Sequence, residues 1–351
     1  MDLHKLSQTH LLRRSLLSYT LWPVGLLYAL LQKKRRQFWK NKAWQAPCKV
    51  ISIGNIVSGG SGKTPLTIAL ARLLDEKGLN VAISHRGYKG AFENNARLIS
   101  DRQGLLYSAD QTGDEAYLIA ASLPSIPVVA GRKRQQAIKL LLSHYPATQV
   151  IILDDALQHV RVKRDLDIVS FASETGIGNG FVLPAGYLRE PLSSLSQDCL
   201  IIIYHSNPKK SESIWQNDLK NRNHTLLSSH AKPRGCCDAL GNHYPLDSLQ
   251  GKRLVLVSGI AAPKTFESTV RSLGLSFIKH YAFPDHYDFQ DPKLETGLCH
   301  EMPEYLLCTQ KDLMKLAIYP KLASKLRALV LDYVFDDPEQ LWGLIAERIL
   351  A

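Results

Sequence analysis

Residues 51–74 read ISIGNIVSGGSGKTPLTIALARLL. An apolar strand, Lys49 to Gly54, leads into a glycine-dense turn. A helix follows from Pro65 to Leu74, with Leu66, Ala69, Leu70, Leu73 and Leu74 on one face and Gly78 as its stop. Strand, glycine turn and helix form the context in which G-x-x-x-x-G-K-[ST] cradles a chain of phosphates. The motif's end is present as Gly62-Lys63-Thr64, but Val57 stands where its first glycine is usual. The glycines crowd instead at Gly59, Gly60 and Gly62, where the backbone must come closest to phosphate oxygens. The loop Val57, Ser58, Gly59, Gly60, Ser61, Gly62, Lys63 and Thr64 is therefore expected to bind nucleotide phosphates. Its consecutive N–H groups wrap the oxygens, and the helix that follows points its positive end at the same place. Lys63 would bridge the β- and γ-phosphates and Thr64 would offer its hydroxyl to Mg²⁺.

The second half of such a site is an acidic group at a neighbouring strand end. QVIILDDALQH supplies Asp154 and Asp155 after four apolar residues, and carboxylates there hold Mg²⁺ directly or through water. The glycine of a D-x-x-G switch is missing after Asp154. TQKD, Thr309 to Asp312, has its lysine one place late for a guanine reader. The expected nucleotide is ATP.

Further strands are expected at Val81–Ser84, Pro127–Ala130, Gln149–Leu153 and Asp167–Phe171, with a helix at Arg132–Ser143. Strands that are nearly all apolar, alternating with helices, indicate an α/β fold: a P-loop NTPase-type parallel sheet flanked by helices. After Pro191 the pattern restarts, with strands at Cys199–Tyr204, Leu254–Val257, Phe277–Tyr281, Tyr305–Cys308 and Leu329–Tyr333. A last helix runs from Pro338 to Ile349. The expected division is 1–40 as an N-terminal segment, 41–195 as the nucleotide domain and 196–351 as a second, smaller α/β domain. Residues 225–250 carry the weakest pattern.

From Leu16 to Leu31 the chain reads LLSYTLWPVGLLYALL with no charge, after Arg13-Arg14 and before Lys33-Lys34-Arg35-Arg36. A helix of that length spans about 24 Å, short of a comfortable bilayer crossing. No small-residue cleavage site follows, and four cations there oppose export as a signal peptide. A buried core helix is the plain alternative. The expected seat is the membrane interface, with Trp22 and Tyr28 at headgroup level and the flanking cations on anionic lipid.

The 351 residues carry a formal net charge of +11, which favours anionic partners. No stacking aromatics are set among the basic clusters, so nucleic acid is not expected. The six cysteines form no C-x-x-C pair and the twelve histidines no H-x-x-x-H. Free thiols and no structural zinc are expected. A strained bridge at Cys236-Cys237 is the alternative.

Together the segments GNIVSGGSGKTP, SHRGYKG, TGDEAYLIA, LDDALQH, RDLDIV, GNGFVLPAGYLREP, SGIAAPKTF and FPDHYDF resemble, in content and order, the tetraacyldisaccharide 4′-kinase family, the lipid A 4′-kinases of Gram-negative bacteria. The resemblance runs from the N-terminal helix to about Asp312. It implies a two-domain P-loop kinase, a monomer at the cytoplasmic face of the inner membrane. This lipid kinase would move the ATP γ-phosphate to the 4′-hydroxyl of a tetraacyldisaccharide 1-phosphate. It also implies that the early loop glycine is dispensable.

By resemblance Asp114 takes the proton of the acceptor hydroxyl, and His286, beside Asp285, pairs with it across a cleft; an N-cap aspartate and a surface histidine are the plain alternatives. Glu190 joins the metal site and Arg189 contacts phosphate or acceptor, unless the two form an exposed ion pair. Tyr88 and Arg134 match positions that bind the lipid or organise the site; Gln158 and His159 are neighbours without a derived role. The chain departs from the family pattern at Ala116, Ala156 and Tyr187. A membrane-associated P-loop ATPase, working as a conformational switch or recruitment factor, is the rival reading.

Overall fold

The run Val50–Ile53, apolar but for Ser52 and inside β1 (Lys49–Gly54), is buried on both faces, as a strand covered by helices on either side must be. The computed structural model describes residues 10–88, 90–206, 214–260, 263–284, 287–291 and 294–350. Their contacts divide the chain into two units, Met1–His230 with Val334–Ala351, and Ala231–Tyr333.

The first unit contains, in order, α1 (Leu16–Trp39), β1, α2 (Lys63–Glu76), β2 (Val81–His85), β3 (Arg97–Asp101), β4 (Gly104–Leu105), α3 (Asp114–Ser122), β5 (Val128–Ala130), α4 (Arg134–His144), β6 (Val150–Leu153), β7 (Leu166–Ala172), β8 (Leu200–His205) and the beginning of β9 (Thr225–Cys237). Its strands lie in the order β9-β8-β7-β1-β6-β2-β5-β3-β4. From β9 to β5 every neighbour is parallel; β3 and β4 close the edge antiparallel. The register sets Ile51 against Ile152 on one side and Leu166 on the other, so the C-terminal ends of β1, β2, β6 and β7 rise together. Ligands of open parallel sheets bind at that edge.

The second unit holds the remaining strands. β11 (Leu254–Ser258) lies between β12 (Lys279–Ala282) and β13 (Tyr305–Thr309), and β14 (Leu326–Phe335) follows β13, all parallel. The end of β9 pairs antiparallel with β10 (His243–Tyr244). One face packs Val255, Val257 and Cys237; the other packs Leu254, Leu256 and Cys236 with Phe266 of α5 (Pro263–Ser272). Adjacent residues of a strand point to opposite faces, so the two cysteines sit in separate cores and their thiols are free.

The expected boundary at 195/196 is corrected. β8 and the start of β9 belong to the first unit, and α6 (Pro338–Ile349) returns to it, with Lys77 Nζ 2.8 Å from Glu339. The polar strands β3 and β4 escape periodicity, as does β9, whose thirteen residues include Pro233 and Gly235.

Helix α1 is longer than its apolar core: it runs 24 residues, through the cationic cluster and past Pro23, about 36 Å. Ser15 caps it reciprocally with Ser18. Ser18, Gly25, Gln32 and Arg36 fall on an inward stripe at spacings of seven, seven and four. Leu16, Leu17, Trp22, Leu26, Leu27, Leu30 and Leu31 are exposed. Tyr28, expected beside Trp22, is half-buried on the inward side. Among the described residues no helix is long and apolar enough to cross a membrane.

Gly54 ends β1 because only a bare Cα fits there: a Cβ would stand 2.5 Å from the Leu157 Cβ and 2.8 Å from its nitrogen. Gly54→Ala is expected to cost about 1–3 kcal/mol as overpacking. Calorimetry should show this as a fall of a few degrees in the unfolding midpoint of the first unit.

Candidate active site

The turn after β1 is pinned from behind. Asn55, fully buried, donates from Nδ2 to Ser61 Oγ at 2.8 Å, and Ser170 of β7 donates from its hydroxyl to the Ser61 carbonyl. Gln158 Nε2 donates to the Asn55 carbonyl at 2.8 Å. Val57 is buried in a β-bridge with Leu188, and the Ser58 N–H donates to the Tyr187 carbonyl at 2.9 Å. Val57 thus anchors the loop through its side chain, which is why glycine is not needed there. Gly59 and Gly62 have φ of 97° and 74°. That left-handed backbone turns the chain so that α2 starts at Lys63, with Thr64 in its first turn.

Lys63 Nζ stands 3.6 Å from Asp155 Oδ1 at the end of β6. Asp155 has φ 45°, unusual for a residue with a side chain, and is partly exposed; Asp154 points inward and is buried. Thr67, buried on α2, donates to Asp154 Oδ1 at 2.6 Å. The Gly87 N–H donates to His85 Nδ1 at 2.8 Å, so the proton of a neutral ring lies on Nε2. Nε2 faces Asp154 Oδ2 at 3.4 Å and Glu115 Oε2 at 3.6 Å. Burial pushes the Asp154 carboxyl up, and His85 and Thr67 oppose that push.

Arg134 lies under this group, buried, with Nη2 donating to the Asp154 carbonyl at 2.5 Å and Nη1 to Ser84 Oγ at 3.4 Å. Burial lowers its pKa to about 10, so it stays charged at neutral pH. It organises the ends of β2 and β6. Asp114 is the first residue of α3, after Gly113 with φ 84°, and its neighbour Glu115 reaches His85. The glycine loop, the paired aspartates and the GDE turn are thereby linked through Lys63, Asp155, Asp154, His85 and Glu115.

Other expected residues stand elsewhere. Glu190 is buried 2.6 Å from Arg36 of α1. Arg189 is half-buried beside Tyr187, whose hydroxyl would meet a Cβ on Gly59 at 2.5 Å. Tyr88 is half exposed with the Arg86 guanidinium 5.4 Å from its ring centre. Burial, then Arg134 and further arginines, lowers the His159 pKa to about 4. Asp285 and His286 lie outside the described residues. Sequence reasoning missed Thr67, His85 and Arg36. The first two left a signal: a polar residue on the buried side of α2 and one closing the apolar β2.

The family model described as tetraacyldisaccharide-1-P 4′-kinase matches residues 17–350. The chain is 35% identical to the tetraacyldisaccharide 4′-kinase of Pelobacter propionicus over 342 residues, 93% of this chain and 91% of that one. It is 34% identical to that of a Polaromonas species over 344 residues, 97% and 94%. Its structure is similar to that of LpxK from Aquifex aeolicus in complex with ATP, with a TM-score of 0.76 at 30% identity, over 96% of this chain and 100% of that one. Likeness of this kind extends far beyond a nucleotide loop shared by many ATPases, and the chain belongs to the tetraacyldisaccharide-1-P 4′-kinase family.

Proposed function

We propose that this protein is an ATP-dependent lipid kinase that phosphorylates the 4′-hydroxyl of a tetraacyldisaccharide 1-phosphate, in lipid A biosynthesis, at the cytoplasmic face of the inner membrane. The observation that carries the reading is the meeting of Lys63, behind a left-handed glycine turn, with Asp155 at the end of the adjacent parallel strand.

Phosphoryl transfer is mostly positioning and charge neutralisation. The bare amides of residues 59–64 receive the phosphates, and Lys63 neutralises the β- and γ-oxygens. Asp114, at the start of α3, takes the acceptor proton, while Arg189 and Tyr88 face phosphate or sugar. The donors suited to a divalent cation are the Thr64 hydroxyl and the Asp154 and Asp155 carboxylates, an oxygen-only set of the kind Mg²⁺ prefers. Among the described residues no three acidic, histidine or cysteine side chains form a cage. A cation held by these oxygens would draw its remaining ligands from phosphate and water. Bound there, Mg²⁺ would supply charge neutralisation of the transferring group. Glu190 belongs to the same acidic set by family resemblance, although its ion pair is with Arg36.

The acceptor is a lipid, and α1 offers the means of reaching it. Its outward apolar face and Lys33, Lys34 and Arg35, all exposed, suit an anionic membrane interface. A cavity of about 890 Å³ along the flank of the helix, lined by Trp22, Leu26, Leu30, Lys33, Arg36 and Phe181 among others, joins apolar walls to cations. That chemistry fits acyl chains with an anionic headgroup.

Incubation with γ-labelled ATP, Mg²⁺ and the disaccharide 1-phosphate is expected to put label into the lipid extract. Label found only in inorganic phosphate would favour the switch ATPase. Asp114→Ala should lower kcat by about 10²–10⁴-fold with ATP binding nearly intact, and parent turnover would remove the base assignment. Lys63→Ala should reduce kcat/KM for ATP by at least about a hundredfold, checked by initial rates. Deleting residues 1–32 should shift the protein from the membrane pellet to the supernatant, and unchanged sedimentation would count against the anchor.

A further inference from the structure

Helix α1 lies along the loop that carries PAGYLRE and touches it at three levels. Near its start, Asn179 Nδ2 donates to Ser18 Oγ at 3.3 Å. One third of the way along, Gly25 lets the helix backbone press on the loop, since a Cβ there would stand 2.8 Å from the Val182 carbonyl oxygen. Near its end, Arg36 Nε lies 2.6 Å from Glu190 Oε2; the Arg36 side chain is 23% exposed and that of Glu190 is 2%. Lys33, Lys34 and Arg35 are exposed, so of the four consecutive cations Arg36 is the one that turns inward.

The far side of Glu190 leads directly to the nucleotide loop. The Arg189 N–H donates to the Ile56 carbonyl at 2.6 Å, Leu188 bridges Val57, and Tyr187 accepts from the Ser58 N–H. Arg36 also donates from Nη2 to the Leu157 carbonyl at 3.4 Å, two residues past Asp155. One guanidinium therefore joins the helix that faces the membrane to both loops that approach the phosphates.

We propose that Arg36 is a positioning residue for phosphoryl transfer: through its buried ion pair with Glu190 it fixes residues 187–190 against the nucleotide loop when α1 is seated. The helix, the loop and the phosphate cradle then hold one another in register, and a lipid that seats α1 also sets the catalytic geometry. The inference rests on the lipid-kinase reading, because it assigns α1 both tasks.

The test compares Arg36→Gln, Arg36→Lys, Glu190→Gln and the double variant Arg36→Gln/Glu190→Gln. Transfer is assayed in mixed micelles, with thermal midpoints measured with and without MgATP. Arg36→Gln should lower kcat about tenfold or more, as loss of alignment does, while KM for the acceptor and MgATP-induced stabilisation change less than about threefold. Arg36→Lys keeps the charge but not the fork, and should recover part of kcat. The double variant should lose clearly less than the product of the two single losses, since Glu190 is the partner through which Arg36 chiefly acts.

Multiplicative single effects, or a parent kcat in Arg36→Gln, would overturn the proposal. So would a defect confined to acceptor KM that varies with the anionic phospholipid fraction, which would mark Arg36 as a headgroup contact. Should Arg36→Gln fail to fold through its unpaired buried carboxylate, Arg36→Lys and the double variant decide by the same criteria. If the parent protein binds MgATP yet labels no lipid, the kinase reading fails. The Arg36–Glu190 coupling is then read in the midpoints, where additive single effects would still overturn it.

Discussion

A loop whose main-chain amides are to meet a ligand must be bare on that side, so everything that holds it has to reach it from behind. Asn55, Gln158 and Ser170 do this from the sheet, and the Tyr187 carbonyl does it from the side. These contacts satisfy polar groups of the turn that would otherwise be buried without partners. They explain why the loop can begin with a valine: Val57 belongs to the core, packed with Ile56, Leu157 and Leu188, and the turn opens only after it. The carboxylates across from the loop follow the same arrangement. Thr67 and His85 hold Asp154 by its two oxygens, which leaves the partly exposed Asp155 as the one that meets Lys63.

Much of this was legible in the sequence because it rests on local pattern. The apolar runs fixed β1, β6 and β7, and the glycines announced the turn. Pro338, behind the N-capping Asp337, marked the start of the last helix. What stayed hidden depends on contacts distant in sequence. His85 meets Asp154 and Glu115 across 69 and 30 positions, and nothing in SHRGY by itself says that a ring there will sit between two carboxylates. The fate of Arg36 was equally unreadable: within a run of four cations, only the helix phase relative to Gly25 and Ser18 decides which one turns inward. The division of the chain was misjudged for a related reason. Sheet membership of β9 and return of α6 to the first unit are non-local, and a restart of the strand–helix pattern does not reveal them.

In the second unit, Ser258 Oγ and His280 Nε2 are 2.8 Å apart, and His280 Nδ1 and Glu267 Oε1 are likewise 2.8 Å apart. The order serine, histidine, carboxylate is that of a hydrolase triad. Here the serine is fully buried and the imidazole ring packs near Phe266. The row of hydrogen bonds ties β11, β12 and α5 together, and its role is structural.

The two-sidedness of α1 has a consequence for how the reaction is best described. With the helix seated as proposed, enzyme and acceptor share a sheet of lipid and meet by lateral diffusion. Turnover would then follow the mole fraction of acceptor in that sheet. Diluting the assay with inert detergent would slow the reaction as effectively as withholding substrate, even at constant bulk concentration.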